Sequence, residues 1–208
     1  VSELKKRVYL AEEGGELACE EPDVIPLIPR FLQEREELAG ASRGSAYHKL
    51  LELLDFTTDY GEEELQAAIA GLQEEKKLSE EMAACIRIPD ILGFLHCPSG
   101  QRMHRAARQS RLFKEQPFVL GVDAKEIYPE GTSGEVILIQ GIIDVYFEED
   151  GELVVLDYKT DRVQSAKDLK EKYHAQLEYY AEALELLLGK RVKEKIIYSF
   201  TLKQEIKF

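Results

Sequence analysis

Cysteine is scarce in this chain: Cys19, Cys85 and Cys97 stand far apart, and no CxxC pair occurs. That spacing argues against a disulfide framework, a zinc ribbon and an iron–sulfur cluster, and leaves ordinary reduced thiols. No apolar run approaches the length needed to span a bilayer, and no secretory leader pattern is present. The expectation is a soluble intracellular protein with no membrane partner. Positive charge is also short, with 27 Lys+Arg against 40 Asp+Glu and a net charge of −13. This argues against a protein that coats nucleic acid nonspecifically. It leaves open enzymes whose acidic side chains hold cations. A GxxxxGK[ST] loop is missing, so the chain alone is not expected to hydrolyse ATP. Internal repeats and low-complexity tracts are absent as well.

What is present suffices for one packed domain: 208 residues, 44% of them hydrophobic. Ser2–Arg7 reads as a short capped helix, and the acidic, proline-containing stretch 11–40 as an irregular connector. Val1 is not methionine, which fits a fragment of a longer protein. Helices are expected at 43–55, 62–76, 79–86 and 90–113, the last interrupted near Pro98-Ser99-Gly100. Strands are expected at 116–128, 135–147 and 152–159. A long amphipathic helix over 165–188 ends at Gly189, and 192–202 forms a last strand. The division is a connector over 1–40, a helical subdomain over 41–98 and a core over 99–208. The fold class is α/β, a mixed central sheet flanked by helices with an N-terminal helical extension.

Asp150-Gly151 is a strong two-residue hairpin signal, because a type I′ turn needs positive φ at both central positions. The turn sets a register: Glu149 faces Glu152, and counting back along both arms brings Asp144 opposite Asp157. Their Cβ atoms would then lie about 4.5–5.5 Å apart. Lys159 shares a face with Asp157, Val155 and Leu153. Two opposed carboxylates repel, and a divalent cation relieves them. Oxygen ligands favour Mg2+ or Mn2+ over a soft metal. A lysine one alternation away can hold a phosphate oxygen or steady a water, which makes a constellation for phosphodiester hydrolysis. A salt bridge between Asp144 and Lys159 beside an exposed Asp157 fits the hairpin equally well. Strands are depleted in aspartate, however, so acids within VILIQGIID and LVVLDYK are unusual as decoration.

GIID, then LDYKTD, then QLEYYAEAL, in that order, resemble the RecB-type branch of the PD-(D/E)XK nucleases, and most nearly the AddA-type nuclease domains of AddAB complexes. The early VSELKKR and RGSAYHKLLE segments resemble the region joining helicase to nuclease, and Glu115-Gln116-Pro117-Phe118 the family's strand opening. The resemblance implies a restriction-endonuclease-like core. It implies that Asp144, Asp157, His48 and the Tyr158 carbonyl ligate a metal, that Lys159 is the catalytic lysine, and that Gln176 and Tyr180 form the QxxxY motif counted with the catalytic set. It further implies a Mg2+-dependent exonuclease (Mn2+ a possible substitute) acting on single-stranded DNA in double-strand-break repair. Its partners would be the helicase portion of the parent chain and an AddB-like subunit, in the bacterial cytoplasm.

Taken without that resemblance, His48 is a structural or surface histidine. Gln176 and Tyr180, four apart on one helix face, are core packing, DNA contact or support for the active-site strand. Glu115 either supports the metal or the lysine, or flanks a strand. Arg102, Arg105, Arg108 and Arg111 recur every third residue and, with His104 and Lys114, make the clearest basic stripe in the chain. They offer phosphate contacts, or a solvated helix face, or contact with the rest of a longer protein. Two competing readings are a stand-alone RecB/Cas4-like nuclease and a catalytically silent nuclease fold serving as an interaction module.

Overall fold

The computed structural model describes residues 43–123 and 136–208. The expected helix at 2–7, the connector over 1–40 and the strand positions beyond Asp123 lie outside them. The helices that come first are α1 (Arg43–Leu53), α2 (Glu62–Glu74), α3 (Glu80–Cys85), α4 (Ile88–Leu95) and α5 (Pro98–Arg108). Strands β1 (Leu112–Asp123), β2 (Val136–Glu149) and β3 (Glu152–Lys159) follow, then α6 (Ala166–Leu188), β4 (Val192–Ser199) and β5 (Gln204–Lys207). The five strands form one mixed sheet in sequence order. β3 and β4 are parallel, joined by α6, and the other neighbours are antiparallel. No helix among the described residues is long and apolar enough to cross a membrane.

Local chemistry places each element. Asp150 and Gly151 both take positive φ, 57° and 83°, as the hairpin signal requires. The β2–β3 ladder runs from Glu149↔Glu152 to Val145↔Leu156, the register read from the turn. α6 opens on a capping box, with Ser165 accepting from the Asp168 amide and Asp168 reaching back to the Ser165 amide. It closes on Gly189 at φ 63°, a left-handed cap. The expected 90–113 helix is two helices. Pro98 starts the second, which ends at Arg108, and Arg111 lies past its end.

Two cores sandwich the sheet. Val154, Leu156 and Tyr158 face the layer of α1–α5, whereas Leu153 and Val155 face α6. On β2 this alternation inverts: Ile143 joins the α6 core but Val145 the other. On β1, Leu112 packs with the α1–α5 core and Phe118 with the α6 core. The two inversions meet at Asp144 and Glu115, which face each other between Lys114↔Val145 and Gln116↔Ile143. Glu115 has φ 50°, a left-handed conformation that a non-glycine residue seldom takes inside a strand.

A fifth strand, β5, is not visible in the sequence, where 192–202 reads as one final strand. The turn before β5 has no glycine, proline or asparagine. Lys203 takes the positive φ instead, at 52°, and Ser199 Oγ accepts the Leu202 amide at 3.1 Å.

Arg102 ties α5 to the sheet. Its guanidinium donates to Glu149 at 3.0 and 2.7 Å and to Glu194 at 2.6 Å. Arg102→Ala should cost about 1.5–3 kcal/mol, as expected for charge-assisted hydrogen bonds. Arg105→Ala, at an exposed position, should stay within about 0.5 kcal/mol of wild type. Urea denaturation measures both. Arg102, then Lys193, holds the Glu149 carboxyl down from its usual 4.5 to about 2. A depressed carboxylate stabilises fully above its unfolded value and loses that share as it protonates. The gap between Arg102→Ala and wild type should therefore narrow as pH falls from 4.5 toward 2. A gap constant with pH would remove Glu149 as the partner.

Candidate active site

The β2–β3 ladder stops one step short of Asp144 and Asp157. There the Asp144 carboxylate takes over from the main chain: its Oδ2 accepts the Tyr158 amide at 3.0 Å. α1 brings His48 to the same spot. His48 Nδ1 lies 3.3 Å from Asp144 Oδ2, and Nε2 lies 2.9 Å from the Tyr158 carbonyl oxygen. Glu115 completes the group, aimed by its left-handed backbone. His48, Glu115 and Asp144 each offer a ligand atom within 4.8 Å of the others, the one such cluster among the described residues. Sequence reasoning leaves Glu115 open between metal support and strand flank. Its only sequence signal is the Glu115-Gln116-Pro117-Phe118 strand opening; its nearness to Asp144 comes from the β1–β2 register.

Asp157 stands outside that trio. Its Oδ1 accepts from Gln176 Nε2 at 3.0 Å, and its Oδ2 forms an ion pair with Lys159 Nζ at 2.6 Å. Asp144, Asp157 and Lys159 are all buried. Burial pushes both carboxyls up, and their neighbours then separate them. His48, Lys159 and the Tyr158 amide outweigh burial at Asp144 and hold it below the usual carboxylate range. Asp157 is raised by burial and by the Asp144 charge, against the opposing pull of Lys159. Pairs of acids driven apart in this way are typical of sites that handle protons or cations.

The donor set suits a hard divalent cation: two carboxylates and an imidazole, with a backbone carbonyl beside them. Both His48 nitrogens face oxygen acceptors, and a neutral ring donates to only one. Asp144 and the Tyr158 carbonyl therefore present more negative charge than a neutral histidine can satisfy.

Gln176 and Tyr180 are buried and act on the strands. Tyr180 Oη donates to the Ile142 carbonyl at 2.7 Å and accepts from Gln176 Nε2 at 2.6 Å. The pair links Asp157 on β3 to β2 two residues before Asp144, which is the strand-support reading. The basic stripe, by contrast, is dispersed. Arg102 is engaged by its two glutamates. His104 bonds the Phe56 carbonyl at 2.9 Å, and Lys114 donates to the Leu54 carbonyl at 2.6 Å, past the end of α1. Arg105, Arg108 and Arg111 remain exposed.

Acids and an amine converge where strands of a mixed sheet part. The sequence matches the family described as the PD-(D/E)XK nuclease superfamily over residues 26–206, and the chain belongs to that superfamily. It is 36% identical to an ATP-dependent helicase/nuclease protein (AddA) of Lachnoclostridium phytofermentans, over 88% of this chain and 16% of that protein. It is 40% identical to the protein of the same name from Thermoanaerobacter sp., over 83% of this chain and 14% of that protein. The chain thus spans about one-sixth of the length of these curated relatives. A solved structure, "Crystal structure of SSO0001", matches with TM-score 0.36 and 14% identity over 77% of this chain and 63% of that one, a likeness too slight to carry argument.

Tyr180→Phe removes the donor to the Ile142 carbonyl, and Gln176→Ala strands a buried Asp157 oxygen. Each should lower stability by about 1–3 kcal/mol. Thermal melts that overlay wild type for both variants would remove the clamp.

Proposed function

We propose that this chain is the nuclease module of an AddAB-type helicase–nuclease and hydrolyses phosphodiester bonds in single-stranded DNA, with Mg2+ as cofactor and Mn2+ as a substitute. The observation that carries the reading is the meeting of His48, Glu115 and Asp144 within 4.8 Å beside the paired Asp157 and Lys159. His48, Glu115 and Asp144 would hold the cation, with Asp157 and the Tyr158 carbonyl completing the set. When bound, such a cation supplies Lewis-acid polarisation of a phosphate and lowers the pKa of a water. Lys159 orients the attacking water or offsets the negative charge that develops on the phosphate. Gln176 and Tyr180 keep Asp157 and β2 in register with one another.

The wider role extends the proposal, and the helicase in the relatives' printed names supports it. A helicase portion of the parent chain and an AddB-like subunit would open duplex ends and pass a single strand to this site during double-strand-break repair in the bacterial cytoplasm. The solvent-facing Arg105, Arg108 and Arg111 would contact phosphates along the way.

Labelled single-stranded DNA should be cut in Mg2+ and left intact in EDTA. Asp144→Ala, Asp157→Ala and Lys159→Ala should each abolish cutting while keeping the wild-type circular dichroism spectrum. Wild-type rates in any of the three would end that residue's assignment. Replacing Arg105 and Arg108 together by alanine should reduce the slope of log affinity against log salt by about 1.4, two single-strand phosphate contacts. An unchanged slope would return both arginines to the solvated surface.

A further inference from the structure

Lysine is a poor choice for a fixed charge, since its ammonium rides on a four-carbon stem with many rotamers. Lys159 nevertheless lies buried, and Asp157 touches it from one side. From another side comes Tyr173, a residue of α6 outside the QxxxY pair. Its ring centroid lies 4.3 Å from Lys159 Nζ, well inside cation–π range.

The ring is itself held firmly. Tyr173 is 3% exposed. Its hydroxyl donates to Asp161 Oδ1 at 2.8 Å, and Lys172 Nζ donates to the same oxygen at 2.8 Å. Lys172 Nζ also stands 5.0 Å from the ring centroid. Asp161 sits two residues beyond Lys159, past the end of β3. α1 secures the same loop, because Arg43 donates to the Thr160 carbonyl at 3.1 Å and to Thr201 Oγ1 at 3.2 Å. A chain of contacts therefore runs from the loop through Asp161 to the Tyr173 hydroxyl, and from the Tyr173 ring to the lysine.

We propose that Tyr173 is a positioning residue for Lys159: its ring face keeps the ammonium at the edge of the acidic cluster, and the Asp161 bond adds a smaller share by steadying the ring. The inference rests on the nuclease reading, in which Lys159 serves the reaction. A purely packing role for Tyr173 predicts something different, because leucine would then fill the space beside Leu169 and Leu177 equally well. Only the positioning role needs a π surface.

The test compares Tyr173→Leu, which removes the ring, with Tyr173→Phe, which keeps the ring and loses the Asp161 bond. Wild-type chain and both variants are assayed on labelled single-stranded DNA in Mg2+, with Mn2+ affinity measured separately by electron paramagnetic resonance. Tyr173→Leu should lower kcat about tenfold or more, leaving KM and Mn2+ affinity within about twofold of wild type. Tyr173→Phe should restore most of the lost kcat. Wild-type kcat in Tyr173→Leu overturns the inference, and so does a loss in Tyr173→Phe as deep as in Tyr173→Leu. A second measurement stands apart from activity and from the folding of the leucine variant. In NMR spectra of the wild-type chain, the Lys159 ε-protons, assigned by their loss in Lys159→Arg, should be shifted upfield by the ring. Shifts at ordinary lysine values overturn the proposal. Failure of the wild-type chain to cut in any divalent cation instead overturns the nuclease reading, so the two failures are separable.

Discussion

The site depends on one departure from regular β structure. β1 and β2 pair along most of their length, yet both reverse their inward and outward alternation at Glu115 and Asp144. Glu115 does this with a left-handed backbone, which costs a non-glycine residue on the order of 1–3 kcal/mol. Regular alternation would have Glu115 and Asp144 continue the parity set by one end of each strand. At the reversal, two acids from adjacent strands come together with His48, just where β2 and β3 stop pairing. The strain is local and its return is geometric: three ligand atoms gather from α1, β1 and β2.

Gathering negative charge in a buried place needs compensation, and the surrounding residues supply it in layers. Asp144 accepts the Tyr158 amide and lies against His48. Asp157 takes a donor from Gln176 and a charge from Lys159. The two acids are driven in opposite directions, one held ionised and the other eased toward its neutral form. A cation added beside them would favour the ionised form of both. Tyr180 then fixes β2 through the Ile142 carbonyl, so the strand bearing Asp144 keeps its place against α6. Site geometry and strand packing share the same hydrogen bonds here. That sharing is why the Tyr180 and Gln176 variants are expected to lose stability.

Most of this was legible in the sequence because short-range rules govern it. Asp150-Gly151 dictated the turn, the turn dictated the register, and the register put Asp144 and Asp157 at the same level. Ser165 and Gly189 bounded α6. What escaped notice depended on long-range packing. The turn at Lys203 uses a residue with no turn preference, so β5 was hidden. Arg102 looked like part of a basic stripe, because nothing local announces that Glu149 and Glu194, both distant in sequence, will claim it. The period-three spacing also ran past the real helix end, where Ser110 adopts φ 57°. Glu115 was readable as a candidate metal support just before the expected strand 116–128, but its place inside β1 and its inversion of the strand face were not, since positive φ at glutamate has no sequence signature.

The net charge of −13 gains meaning from this arrangement. Two cations of the basic stripe are engaged internally: Arg102 with Glu149 and Glu194, and Lys114 at the Leu54 carbonyl just beyond α1. An acidic surface repels a polyanion over about a Debye length, roughly 8 Å at physiological salt. A strand of DNA therefore has little long-range reason to approach this module unaided. Affinity must come from short-range contacts at the site, from a bound cation, or from a partner that delivers the strand. Under the proposed function, weak intrinsic attraction would suit a cutting module attached to a motor, because the strand would have to keep moving past the site. On this reasoning, cleavage by the isolated chain should be limited by capture of the strand before it is limited by chemistry.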